Sequence, residues 1–181
     1  GTLSIASDGN LGSSTVTLAT GTTLAVTGAT TIDNAIALSG NATVQAANAV
    51  TLSGTISGAG GLTKTGAGTV TLSGSNGFTG NVAVSAGGLT LSNGAAIDNN
   101  SAVTMSSGTT LTLSSSETIG SLAGAGSVAL GANTLTAGGD NTSTSYSGNI
   151  SGTGGGITKT GAGTLILSGS NSNTGATTIS A

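Results

Sequence analysis

Two stretches of this chain are nearly the same and lie 95 residues apart. Residues 63–86 read TKTGAGTVTLSGSNGFTGNVAVSA and residues 158–181 read TKTGAGTLILSGSNSNTGATTISA, identical at 16 of 24 positions. A second match joins STVTLATGTTLAV at 14–26 to SAVTMSSGTTLTL at 101–113, at an offset of 87. The second unit is therefore 8 residues longer, and the extra length falls between Leu113 and Thr158. The chain reads as two tandem units, roughly 1–86 and 87–181. Tandem units bury their apolar faces by stacking on their neighbours.

Within each unit the pattern is strand, turn, strand. Thr15-Val16-Thr17-Leu18, Thr22-Thr23-Leu24-Ala25-Val26, Thr69-Val70-Thr71-Leu72 and Gly88-Leu89-Thr90-Leu91 alternate polar with apolar residues. That alternation sends every second side chain to one face. Thr and Val favour strands. Gly and Asn clusters at Asn10, Gly21, Gly40-Asn41, Asn93-Gly94 and Gly138-Gly139 punctuate the runs. No helical spacing of apolar residues is sustained, and the glycines would break it. Short strands with long-period repeats predict an all-β fold, a parallel β-helix (β-solenoid) in which each coil lies on the next. Leu, Ile and Val ladders would face inward, Thr and Ser outward, with Asn side chains stacked in ladders at the turns. A β-sandwich is the structural alternative.

Composition narrows the chemistry. There is no His and no Cys, which excludes a His-based triad, a thiol nucleophile and an ordinary zinc site. Two Lys and no Arg cannot make a nucleic-acid surface. Charged residues are 4% of the chain and aromatics 1%, yet hydrophobic residues are 35%. Disorder goes with high net charge and low hydrophobicity, and this chain has neither. The core must be thin and aliphatic. No apolar run approaches the roughly 20 residues that span a bilayer as a helix.

The stretch Gly61-Leu62-Thr63-Lys64-Thr65-Gly66-Ala67-Gly68-Thr69, then Leu72-Ser73-Gly74-Ser75-Asn76 and Thr79-Gly80, resembles the passenger-associated repeat of bacterial autotransporters, as does Gly156 to Gly175. Ile119 to Gly155 and the opening GTLSIASDGNLGSS are similar to inter-repeat sequence of the same proteins. The resemblance implies a right-handed parallel β-helix, exported and displayed on the cell surface, whose repeats are chiefly structural. It implies contact with the outer membrane only through a region absent from this chain. One departure stands out. The aromatic after the SGxN block is Phe78 in the first copy and Asn173 in the second, which changes local packing there and not the fold.

The functional expectation is a single structural β-solenoid segment, 1–181, of an extracellular or outer-membrane-surface stalk or filament that displays or mediates adhesion. The alternative is a binding module for ice, glycan or a host surface on a Thr-rich solenoid face. Ser180-Ala181 followed by Gly1-Thr2-Leu3-Ser4 nearly reproduces the internal junction Ser85-Ala86-Gly87-Gly88-Leu89-Thr90. The chain could be one period of a longer array, and self-association end to end or side by side is expected from open coil edges. Asp8, Asp33, Asp98 and Asp140 each sit beside Asn or Gly and read as Asx turns at corners, with calcium the alternative. No catalytic, metal or cofactor site is expected; five acids spread over the chain do not make a catalytic pair. Lys64 and Lys159 occupy one repeat position and read as solvated turns, each free to pair with a carboxylate a coil away. Thr15/Thr17, Thr69/Thr71, Thr110/Thr112 and Thr134/Thr136 do not recur at a fixed coil length, which weighs against an ice-binding lattice. Asn41, Asn99, Asn141 and Asn149 match the glycosylation pattern, a weak signal in so Asn- and Ser-rich a chain.

Overall fold

Each alternating run becomes a strand of two to five residues, and every strand pairing is parallel, to a strand about one coil away. The computed structural model describes residues 1–180. It is a parallel β-solenoid with three faces. The first face is a nine-stranded sheet running from Thr2–Ile5 through Thr23–Val26, Ala42–Ala46 and Leu62–Thr65 to Leu165–Leu167. The second is a seven-stranded sheet from Thr30–Ile32 to Ile150–Ser151. The third is two four-stranded sheets, one from Val16–Leu18 to Gly77–Phe78 and one from Glu117–Ile119 to Thr177–Ile179. In the first coil a single 3-10 turn, Asp8–Asn10, stands where the second-face strand would be. It is the only helical turn among the described residues.

The interior is a set of ladders. On the second face Ile32, Leu52, Leu72, Leu91 and Leu113 lie in register, all 3% exposed or less. Val50, Val70, Leu89, Leu111, Val128 and Ile150 form the parallel ladder beside them. Each such side chain contributes about 1.5–3 kcal/mol on burial, which is what drives a chain with so few ion pairs to coil.

The two aromatics enter this aliphatic interior by the same device. Phe78 lies in register with Gly58 in the coil beside it, and Tyr146 with Gly124. Both rings are fully buried. Both glycines have positive φ, +109° and +106°, and a Cβ built on them would stand 2.2 Å from the Leu38 carbonyl oxygen and 2.0 Å from the Met105 one. Each glycine is pressed against the carbonyl of the coil before it, and the ring in register with it belongs to the coil after. The Tyr146 hydroxyl donates to the Gly126 carbonyl, and burial pushes its pKa up to about 12.

Among the described residues no hydrogen bond joins two asparagine side chains. Their amides bind the backbone of a neighbouring coil instead. Asn41 Oδ1 accepts from Gly61 N at 2.8 Å, Asn81 Oδ1 from Ala102 N at 3.1 Å, and Asn48 Nδ2 donates to the Thr27 carbonyl at 2.7 Å. One coil on, Asn41 meets Gly61 and Asn81 meets Ala102, so the residue above is not a second asparagine. At the Phe78 position of the second copy, Asn173 Nδ2 donates to the Gly155 carbonyl at 3.2 Å, so a polar contact replaces the buried ring.

Candidate functional site

The outward rows are more regular than the sequence suggests. On the second face Thr31, Thr51, Thr71, Thr90 and Thr112 stand in register over five successive coils. Their spacings along the chain are 20, 20, 19 and 22 residues, so no fixed period is visible in sequence. The arcs between faces absorb the difference. Two of the four expected Thr pairs, Thr69/Thr71 and Thr110/Thr112, fall on this face, while Thr17 and Thr134/Thr136 belong to the two halves of the third. There Thr118, Thr136, Thr158 and Thr178 make a second row. Ser53, Ser73, Ser92 and Ser114 follow the second-face strands, each donating its N–H to the neighbouring coil. The central row is uncharged hydroxyl and methyl, repeated at about the 4.8 Å strand spacing.

A shallow groove of about 450 Å³ lies between the third face and the first, lined by Asn41, Thr63, Thr79, Asn81 and Thr104 with Gly61 and Gly80 at its floor. The Oδ1 atoms of Asn41 and Asn81 are held by backbone N–H groups, which fixes both amides. Asn41 and Asn141, two of the four glycosylation-pattern asparagines, thus bridge coils; Asn141 Oδ1 accepts from Ala162 N at 2.9 Å.

The lysines are not solvated turns. Lys64 is 1% exposed and occupies an inward ladder position between Val44 and Val84. Its Nζ donates to the Thr65 carbonyl at 2.8 Å, the Gly66 carbonyl at 2.8 Å and the Ala86 carbonyl of the next coil at 3.0 Å. Three donors meet three backbone acceptors, so the ammonium needs no carboxylate. Burial pushes its pKa down from 10.5 to about 8. Lys159, half-buried, repeats the arrangement on the Thr160 and Gly161 carbonyls. The strand parity was the available signal: Lys64 follows Leu62 by two residues and therefore shares its inward side.

Two of the four aspartates make Asx turns. Asp98 Oδ1 accepts from Asn100 N at 2.8 Å and Asp140 Oδ1 from Thr142 N at 2.9 Å, both two residues on. Asp8 Oδ1 accepts from Asp33 N at 3.3 Å, and Asp140 Oδ2 from the Ser121 hydroxyl at 2.6 Å. No three acidic side chains converge among the described residues.

Sequence reasoning missed Glu117. It is the one glutamate of the chain and 3% exposed. Its carboxylate accepts from Ala96 N and Ile97 N, each at 3.4 Å, in the coil before it. Burial holds the carboxyl above its ordinary range, and the two N–H groups pull the other way. The signal was again parity, since Glu117 precedes inward Ile119 by two.

The two copies of the repeat do not lie on the same face. Leu62–Thr65 is on the first face and its counterpart Gly156–Lys159 is on the third. Fourteen face-lengths separate them, counting the strandless stretch 92–101, and fourteen faces of three are four and two-thirds turns.

Residues 62–91 and 157–181 match the Passenger-associated-transport-repeat family. No curated protein and no solved structure matches the chain. The two matched segments are the two Lys-bearing copies, set in a continuous solenoid. The two repeat matches, set in a parallel β-solenoid, are consistent with an autotransporter passenger repeat protein.

Proposed function

We propose that the chain is a structural segment of an exported passenger, a low-charge rod that holds other parts at a distance from the surface. The observation that carries this reading is uninterrupted parallel pairing along the first face through nine coils over a largely aliphatic interior, with its charges spent on backbone groups and corner turns. The repeat family supports a surface or extracellular location. Adhesion in this reading belongs to what the rod carries. Self-association belongs to its coil edges, because a strand paired on one side only offers free backbone groups to a second copy.

A second reading is favoured by one observation, the five threonines in register on the second face. It makes that face a binding surface for an ordered, uncharged partner such as glycan or ice.

The double substitution Thr51→Lys, Thr90→Glu separates the two. Both positions are outward and half-buried, and long charged side chains there can extend into solvent, so the cost should stay within about 1 kcal/mol. A structural segment keeps its surface display, its cell attachment and its sedimentation behaviour. Loss of attachment, or of ice-growth inhibition, with stability unchanged would overturn the structural reading in favour of the second.

A further inference from the structure

The third face is one sheet in two pieces. Between Gly77–Phe78 and Glu117–Ile119 the chain passes once more, through residues 92–101, and forms no strand there. Ala96 and Ile97 are nevertheless buried, at 0% and 2% exposure. Backbone groups in that position need partners that a strand would normally supply.

Two side chains stand in for the missing strand. From the coil before, Asn76 donates its backbone N–H to the Ala95 carbonyl at 3.1 Å and its Nδ2 to the Ala96 carbonyl at 2.8 Å. Its Oδ1 meanwhile accepts from Ile56 N at 2.8 Å, so the amide is used on both sides. From the coil after, the Glu117 carboxylate takes the N–H groups of Ala96 and Ile97. The carbonyls are therefore held from one side and the amides from the other.

The two halves of this splice differ in quality. The asparagine contacts are short and neutral. The glutamate contacts are both at the long end of hydrogen bonding, and the acceptor is a buried charge with no cation against it. The packed elements are the 92–101 loop on one side and Thr134–Ala137, through Leu135, on the other. Between them they carry one ionisable side chain, Asp98, whose Oδ1 is engaged by Asn100 N.

We propose that residues 92–101, spliced into the third face by Asn76 and Glu117, form a yielding joint confined to that face while the other two run on unbroken, and that the protonation state of Glu117 sets how tightly the joint closes. The sign follows from the burial of the carboxyl. A folded-state pKa above the unfolded one means that the folded coil holds the proton more firmly. Its contribution is complete at pH below the ordinary carboxylate range and is lost as pH rises through the raised value. The joint is tightest in acid and loosest near neutrality.

Hydrogen exchange on the whole chain, read by segment at pH 4.5 and pH 8 and corrected for intrinsic rates, tests this. The expected result at pH 8 is that residues 92–101 and the start of Glu117–Ile119 exchange at least tenfold faster than Gly88–Leu91 and Ala102–Met105 on either side. Protection of the segment should rise at least fivefold at pH 4.5. In Glu117→Gln that pH dependence should vanish. Equal protection of the loop and its neighbours in the wild-type chain would overturn the joint. A pH dependence that survives in Glu117→Gln would overturn the role of Glu117. If that variant does not fold, the wild-type comparison still decides the first point, and Glu117→Asp decides the second. Its shorter carboxylate cannot reach both amides, so the loop should be open at both pH values.

Discussion

A lysine in an aliphatic ladder is tolerable only because the backbone around it turns its carbonyls inward. Lys64 shows how narrow that condition is: three donors and three backbone acceptors at a position 1% exposed. Lys64→Met keeps most of the volume and leaves three carbonyls without their partner, so a loss of about 2 kcal/mol is expected in denaturant unfolding at pH 7. The alkaline limb is the specific readout. With a folded pKa near 8 against 10.5 unfolded, the unfolded chain binds more protons between those values, so wild-type stability should rise with pH from about 8 to 10. That rise should disappear in the methionine variant. None of this was evident from residue type, because Thr-Lys-Thr reads as surface. It was available only from parity with Leu62, and a single alternation is a weak lever against the general rule that lysine is exposed.

Strands of two to five residues have little stability of their own, and their identity rests on what stands above and below them. The alternation in Thr69–Leu72 or Gly88–Leu91 was enough to read strands, and the tandem repeat enough to read a solenoid. The face each strand occupies was not legible, because it depends on the summed lengths of all preceding coils, which range around twenty residues with no rule. The Thr31 to Thr112 row was missed for that reason, and so were the Gly58–Phe78 and Gly124–Tyr146 partnerships. These last make a sharp expectation. Gly58→Ala places a Cβ against the Leu38 carbonyl at positive φ. It should cost about 3 kcal/mol. Unfolding in urea would measure the loss, and a cost under about 1 kcal/mol would contradict the close approach of the Leu38 carbonyl.

At the scale of the molecule, the few charges have been moved inside or to corners, and the outward rows are left to threonine and serine. Trypsin therefore has two sites in the sequence, Lys64 and Lys159, and the first is closed off by burial. The folded chain should resist cleavage at Lys64 for hours while the urea-unfolded chain is cut within minutes, as read by intact mass. Rapid cutting at Lys64 under native conditions would contradict the inward placement. The repeat itself carries a further consequence. An element that returns after four and two-thirds turns behaves like a mark on a screw thread and not like a tooth on a comb. Copies at this pitch point in three compass directions in succession and regain their heading only after fourteen turns. Whatever the outward residues of the motif touch would be met from every side of the rod, and a row of copies would have no front or back.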